Sequence, residues 1–123
     1  MTLLKRSAVK APVVRKETVA VPSLKGDVVV RGLLLSERLE LSAVNKQLSA
    51  VQEGEDVETA LARAGAQIVS RTLEKVVLLA DGKPLFTARE WDEHGATNSD
   101  DVLALFKVAR RLGGFEAGAI AKN

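Results

Sequence analysis

The sequence of 123 residues contains no cysteine and no tyrosine, and its aromatic residues are three Phe and one Trp. Without cysteine the chain forms no disulfide, offers no thiolate ligand to a metal and has no cysteine nucleophile. With so few aromatic rings, the core has to consist mainly of Leu, Val, Ile and Ala side chains. The longest apolar runs, such as Val76 to Ala80, are much shorter than the about 20 residues that cross a bilayer. We therefore expect an intracellular chain with no membrane partner.

Positive charge is concentrated at the start of the chain. The first 16 residues contain five basic side chains and no acidic one, whereas residues 17–123 contain the other 13 basic and all 16 acidic side chains, a net charge of −3. We predict a basic flexible N-terminal arm at 1–16, a single globular domain at 17–115 and a flexible C-terminal tail at 116–123. The arm is either a solvated chain end or a binding segment for nucleic acid or another acidic partner.

The pattern of residue types predicts an α+β fold, a small mainly helical domain of about four helices with one or two β-hairpins. Two β-branched runs, at 18–21 and 28–30, flank turn residues and predict the first hairpin. Apolar residues at helical spacing predict the four helices. Their predicted capping residues are Ser36, Asp56, Thr87 and Asn98.

The predicted second helix carries a buried stripe that begins with Val57, Leu61, Ala64 and Ile68. Gly65 interrupts this pattern, and a glycine in a helix interior costs about 1 kcal/mol relative to alanine. This glycine either weakens the helix or marks the close approach of a neighbouring element.

Residues 76–86 (VVLLADGKPLF) predict a second, short hairpin. The dipeptide Asp81-Gly82 favours a tight turn, since glycine accepts a positive φ. Pro84 restricts the second arm to a sheet edge, because proline has no N–H to donate.

The next residues specify the start of a helix. Thr87 and Glu90 have the spacing of a capping box, and Phe86 and Trp91 have that of a hydrophobic staple. We predict that this corner fixes the angle between the middle helices and the final one.

No group of residues predicts catalysis, a metal site or a cofactor. His94 is the only histidine and no second His or Cys lies at ligand spacing, so we expect an exposed residue at a helix end. Ser7 and Lys10 match the spacing of a serine nucleophile, but they lie in the arm, where no scaffold holds them in attacking geometry. We therefore predict a binding protein rather than an enzyme.

Leu33, Leu34 and Leu35 are consecutive, and neither a helix nor a strand buries three consecutive side chains on one face. These leucines are either sunk in a two-sided core or exposed as a contact surface for another chain.

The order of several short motifs resembles the tail assembly chaperones of long-tailed bacteriophages. That family has a V-x-V-P stretch, a V-x-V-R-x-L segment before an E-R helix start, a D-G-x-P-L-F-T turn and a last helix that ends near an Asn/Gly pair. The matching segments here are residues 19–22 (VAVP), 28–33 (VVVRGL), 36–38 (SER), 81–87 (DGKPLFT) and 111–114 (RLGG). The last segment has glycine where asparagine is common, and residues 89–91 (REW) stand where an acidic pair is more usual. The resemblance covers roughly residues 17–115.

The resemblance implies a non-enzymatic chaperone in the cytoplasm of the infected host bacterium, absent from the mature virion. Its implied partner is the tape measure protein, a long helical chain around which the tail tube polymerises. The tail tube protein and self-association are further expectations. In many relatives a frameshift appends a second domain, and this chain corresponds to the short product.

Five residues are the candidates for partner binding, because a helical partner requires an apolar groove with a charged rim. They are Arg31, Leu33, Leu34, Leu35 and Arg38. The alternative function is that of a small nucleic-acid-binding or regulatory protein that uses the basic arm. The net negative body and the absence of tyrosine make nucleic acid the less favoured partner.

Overall fold

The computed structural model describes residues 2–113, in which four helices pack with a three-stranded antiparallel sheet. The strands are β1 (Lys16–Val21), β2 (Gly26–Arg31) and β3 (Val77–Leu78), and the helices are α1 (Leu35–Leu48), α2 (Val57–Val76), α3 (Ala88–Gly95) and α4 (Ser99–Leu112). The predicted α+β fold is therefore confirmed. The predicted tail at 116–123 and the last two residues of the predicted domain lie outside the described residues.

The first hairpin forms as predicted. In β1 and β2, Val19 is opposite Val28 and Val21 is opposite Gly26. Val21, Val28 and Val30 are buried and form the sheet's contribution to the core. The connection is a short 3-10 turn that Lys25 closes in the left-handed region, with a φ of 55°.

The second hairpin is shorter than predicted. Its turn lies where expected, since the Leu79 N–H donates to the carbonyl of Lys83 at 2.8 Å and Gly82 has a φ of 85°. The second arm consists of a single bridge between Leu78 and Pro84 rather than a strand. Proline has no N–H to donate to the ladder, and the remaining contacts of this arm are the bonds of Lys83 with Leu79 and of Leu85 with Val77.

The long helix α2 is buried along a different line from the predicted one. Asp56 caps it as expected, because its carboxylate accepts a hydrogen bond of 2.7 Å from the N–H of Thr59. Ala60 and Ala64 are buried in its first half, whereas Val57 and Leu61 are 63% and 58% exposed. The predicted stripe is thus wrong at its start, since the face turned toward the rest of the domain carries the small side chains.

The corner before α3 forms as predicted and is reinforced from α2. The Thr87 hydroxyl accepts from the N–H of Glu90 at 3.2 Å, and the Glu90 carboxylate accepts from the N–H of Thr87 at 3.0 Å. The rings of Phe86 and Trp91 meet edge to face with centroids 4.9 Å apart, and Trp91 is fully buried. The Glu74 carboxylate accepts from the backbone at the start of α3 at 2.6 Å. The Glu74 contact joins the end of α2 to the start of α3.

A second set of contacts ties the first hairpin to α3 and α4. His94 is half-buried rather than exposed, because its Nε2 lies 2.9 Å from the hydroxyl of Ser23. The Asp101 carboxylate accepts from the N–H of Ser23 at 2.8 Å. Asn98 is the N-cap residue of α4 as predicted, but its side chain forms no cap hydrogen bond, since the amide donates to the carbonyl of His94 instead. Asp101 therefore binds the first hairpin instead of forming the predicted capping box with Asn98.

Gly32 sits where the end of β2 touches the last turn of α4. A Cβ at this position would lie 2.9 Å from the carbonyl oxygen of Leu112 and 3.2 Å from the N of Gly113. Both are backbone atoms, which cannot rotate away as a flexible side chain would. The same glycine donates its N–H to the carbonyl of Arg15 at 2.9 Å. A side chain here would force the strand and the helix apart.

Replacing Gly32 by alanine should lower the free energy of unfolding by about 1–3 kcal/mol, the usual cost of overpacking a close contact. The measurement is urea denaturation. Gly26→Ala is the matched control, since a Cβ at Gly26 would meet only the carbonyl of Leu24 at 4.0 Å. Equal stability of the two variants would show that the close approach at Gly32 is not required.

Candidate protein-binding groove

An open groove of about 540 Å³ lies between α1, α2 and α4. Its lining consists mainly of aliphatic and small side chains, with few polar groups. The lining residues are Leu33, Arg38, Leu41, Ser42, Asn45, Ala62, Gly65, Ala66, Ile68, Val69, Thr72, Leu103, Phe106 and Arg110. A concave apolar surface open to solvent is typical of a site that binds a ligand or another chain.

The apolar walls of the groove come from all three helices and from the segment after β2. Leu41 of α1 is buried, Val69 of α2 and Phe106 of α4 are half-buried, and Leu103 of α4 is 55% exposed. Leu103 and Phe106 are three positions apart, so they share one side of α4. The opposite side of α4 is buried in the core. This helix therefore presents apolar side chains both to the core and to the groove.

The middle of α2 contributes very small side chains to this part of the groove. Ala62, Gly65 and Ala66 are exposed there. A Cβ at Gly65 would meet no atom within 4 Å. The close approach of a neighbouring element that the sequence suggested for this glycine is therefore not observed within residues 2–113. Gly65 instead leaves space inside the groove.

The two ionisable residues in the groove are both arginines. Arg38 comes from α1 and Arg110 comes from α4, and both of these helices pack against α2. The Arg110 guanidinium carbon lies 5.9 Å from the centroid of the Phe106 ring, within the range of a cation–π contact. No carboxylate is among the lining residues. The groove thus combines an apolar surface with two arginine side chains.

The turn that leads into α1 is held by an ion pair. The Arg31 guanidinium donates to both carboxylate oxygens of Glu37, at 2.7 and 2.9 Å. The same carboxylate accepts from the N–H of Leu34 at 2.9 Å. This contact places the start of α1 at Leu35, so the prediction of Ser36 as the capping residue is wrong. The Glu37 carboxylate, rather than Ser36, accepts from a backbone N–H at the start of the helix.

The Arg31–Glu37 pair also shifts the ionisation of both groups. The hydrogen bond between them is the main reason why the pKa of Arg31 is raised and the pKa of Glu37 is lowered. The hydrogen bond from the backbone of Leu34 adds to the lowering for Glu37. The charged form of both side chains is therefore favoured in the folded chain.

The structure separates the five predicted binding residues into three groups. Leu33 and Arg38 line the groove. Leu34 and Leu35 are 46% and 68% exposed and do not line it. Arg31 forms an ion pair with Glu37 at the turn that leads into α1. Their role in binding a partner stays a prediction.

The sequence patterns did not indicate that residues of α2 and α4 line a groove. Gly65 was one indication of the groove, because a glycine inside a helix lowers the stability of the helix and therefore calls for another explanation. Leu103 and Phe106 were another, since α4 has more apolar residues than one buried face accommodates. Both features indicate a groove only once the packing of α1, α2 and α4 is known.

The basic arm lies outside this groove. Its residues from 2 to 16 are exposed, apart from the backbone pairing of Arg15 with Gly32. The last arm residue, Lys16, already belongs to β1. Within residues 2–113, no helix is long and apolar enough to cross a bilayer. In the same range, no set of three His, Asp or Glu side chains is placed to hold a metal ion.

Replacing Glu37 by glutamine should lower stability at neutral pH, and the difference from the wild type should shrink on acidification. The folded pKa of Glu37 lies below its unfolded value of about 4.3. Its contribution is therefore complete above about pH 5 and is lost as the pH falls through the lowered folded value. The measurement is urea denaturation between about pH 7 and pH 3.

Glu53→Gln is the control for this pH dependence, because Glu53 is an exposed carboxylate in the loop before α2. If the Glu37 and Glu53 variants kept the same pH dependence as the wild type, the ion pair would have no part in acid unfolding.

Comparison with known proteins identifies the fold. No protein-family model matches the sequence, and no curated protein matches it either. The solved structure of the bacteriophage HK97 tail assembly chaperone is similar, with a TM-score of 0.55 and 23% sequence identity. The match covers 80% of this chain and 85% of the HK97 chain. The resemblance found in the sequence is thereby confirmed for the fold: this chain folds like a phage tail assembly chaperone.

Proposed function

We propose that this chain is a non-enzymatic phage tail assembly chaperone that holds an apolar helical segment of the tape measure protein in its groove. The single observation that carries this proposal is the apolar groove between α1, α2 and α4, left open on a fold shared with the HK97 tail assembly chaperone. The proposed place of action is the cytoplasm of the infected bacterium, and the chaperone leaves before the virion is complete.

The shape of the groove supports a helical occupant. Amphipathic helices bind in apolar grooves by laying one face along them, with anchoring side chains spaced one turn apart. Three helices of this chain form the walls of the groove. Gly65 has no side chain, so a helix of the partner could approach the backbone of α2 there. A segment bound in this way would be shielded from aggregation until the tail tube closes around it.

The chemistry of the lining supports binding rather than catalysis. The ionisable lining residues are Arg38 and Arg110, and arginine stays protonated throughout the physiological pH range. The Thr72 hydroxyl is already committed, since it donates to the carbonyl of Ile68 at 2.7 Å. These groups supply charge and surface but no general base.

The contact surface extends, in this proposal, to the residues that follow the groove in sequence. Leu34 and Leu35 come directly after Leu33 and are exposed. The Arg31–Glu37 pair fixes the turn on which they lie. The tail tube protein and a second copy of this chain are further proposed partners during assembly.

Replacing Leu103 by aspartate should abolish the complex with the tape measure protein while the fold is retained. The change removes an apolar anchor worth about 1.5–3 kcal/mol and places a charge in an apolar groove, so affinity should fall about 100-fold or more. Co-expression with the tape measure protein of the same phage, followed by size-exclusion chromatography with light scattering, measures complex formation and stoichiometry. Circular dichroism checks the fold.

Leu79→Asp is the matched control for this substitution. Leu79 is an exposed leucine, 42% against 55%, in the turn after β3, and it does not line the groove. We expect this variant to bind like the wild type. Retained binding by the Leu103 variant, or a wild-type chain that elutes alone beside an insoluble tape measure protein, would contradict the proposal.

A further inference from the structure

The apolar surface of the groove continues along α2 beyond the lining residues. Ala62 is the first residue of α2 in the lining, but Val57 and Leu61 precede it and are 63% and 58% exposed. Val57 and Leu61 are four positions apart, and Gly65 follows at the same interval, so the three residues share one side of α2. A helix that lies along this side of α2 therefore covers Val57 and Leu61 as well as the groove.

The continuous surface is longer than the groove alone. Thr72 is the last residue of α2 in the lining. At 1.5 Å per residue, the distance along α2 is about 15 Å from Ala62 to Thr72 and about 22 Å from Val57 to Thr72. An occupant that covers the whole surface therefore has about 16 residues in helical conformation, and its two ends lie near different charges of this chain.

A carboxylate lies at the end of this surface where α2 begins. Glu58 is exposed and precedes Gly65 by seven positions, which is about two turns, so it lies on the same side of α2. Within residues 2–113, the Glu58 side chain forms no hydrogen bond and no ion pair. An occupant that passes over Leu61 therefore reaches a carboxylate that is available for a cation.

A guanidinium group lies at the other end. β2 pairs with β3, which directly follows α2, and Gly32 at the end of β2 touches Leu112 of α4. The last turn of α4, which includes Arg110, therefore lies toward the C-terminal end of α2. Arg110 is exposed and lies against an aromatic ring of its own helix, and it forms no ion pair in the described part of the chain. The two ends of the surface thus carry charges of opposite sign.

We infer that the groove binds its helix in one direction, with a basic side chain of the occupant over Glu58 and an acidic side chain beside Arg110. This inference rests on the proposed function and specifies the end charges and the direction of the segment that is bound. The apolar stripe between the two ends lies on Leu61, Gly65 and the walls of the groove.

Opposite charges at the two ends make the reversed orientation unfavourable. A helix turned end for end places its basic side chain beside Arg110 and its acidic side chain over Glu58, and such like-charge contacts oppose binding. The order of the charged residues in the client therefore sets its direction. A segment with its acidic residue first lies antiparallel to α2, and one with its basic residue first lies parallel to it.

The affinity test uses three synthetic peptides of about 20 residues, long enough to form a helix. All carry the same leucine stripe. One has glutamate at its N-terminal end and lysine at its C-terminal end, the second has glutamate at both ends, and the third has lysine at both ends. Affinity for the full-length chain is measured by fluorescence anisotropy. We expect the mixed peptide to bind about threefold or more tightly than the other two at low salt, and the difference to shrink at high salt.

Two charge variants test the two ends separately with the same peptides, so that differences in peptide helicity cancel. Glu58→Lys should shift the preference to the peptide with two glutamates, and Arg110→Glu should shift it to the peptide with two lysines. Glu53→Lys is the matched control, because it makes the same charge change in the loop before α2 and should leave the preference unchanged. Circular dichroism checks that each variant is folded.

The direction is measured by cross-linking. A photo-crosslinker at the lysine end of the mixed peptide should react with residues near Glu58, and one at the glutamate end with residues near Arg110, as read by mass spectrometry. The double variant Glu58→Lys/Arg110→Glu should exchange the two sites. Cross-links from each peptide end to both sites in the wild type would overturn a single direction.

The remaining outcomes distinguish this inference from the proposed function. Equal affinity for the three peptides, or a changed preference in only one charge variant, overturns the inference, which requires both ends. If no peptide binds while the chain still forms a complex with the tape measure protein, the inference is overturned and the chaperone proposal stands. If the mixed peptide binds in one direction but the tape measure protein does not bind, the inference about the groove stands and the chaperone proposal falls.

Discussion

The close approach of two backbone segments at Gly32 is the constraint on which the groove depends. There the end of β2 lies against the carbonyl of Leu112 in the last turn of α4, at a distance that leaves no room for a Cβ. The next residue, Leu33, turns into the groove, and Arg110 of α4 lies in the same lining. The Glu17 carboxylate, on the neighbouring strand, accepts from Arg111 at 2.6 Å. The sheet therefore sets the position of the helix that forms one side of the groove.

The division of α4 into two apolar faces connects this constraint with function. Its buried face, with Leu105, Ala109 and Leu112, completes the core against the sheet and α2. Leu103 is exposed and Phe106 packs against the core but is only half-buried, so both keep apolar surface in contact with water. Burying apolar surface is favourable by about 25 cal/mol per Å². A chain that covers the groove would therefore gain binding free energy.

How much of the structure the sequence predicts depends on how local the determining contacts are. The corner at Thr87 and Glu90 was predictable because each partner lies within one helical turn of the other. The Ser36 cap was not, since the start of α1 is set by the pair between Arg31 and Glu37. Asn98 is the residue before α4 as predicted, but its expected capping-box partner Asp101 instead accepts from Ser23, 78 positions away along the chain.

The groove is the least predictable feature, since none of its three helices defines it alone. The spacing of apolar residues in α2 favoured Val57 and Leu61 as core residues, but both are exposed and the first half of the helix is buried through alanines. The sequence does indicate the leucines that follow β2, because three consecutive leucines exceed one face. It cannot show which of them reaches the groove. Only the packing of α1 and α4 against α2 assigns Leu33 to it and leaves Leu34 and Leu35 outside.

The most direct test of the account is to find where the tape measure protein contacts this chain. Because the sequence has no cysteine, a single cysteine can carry a photo-crosslinker at any chosen position. Ser42 lines the groove and is exposed, and Thr18 is exposed on β1 away from it. We expect strong cross-linking of the co-expressed tape measure protein from Ser42→Cys and little from Thr18→Cys. Cross-linking from Thr18→Cys alone would place the partner on the sheet and contradict the groove as the binding site.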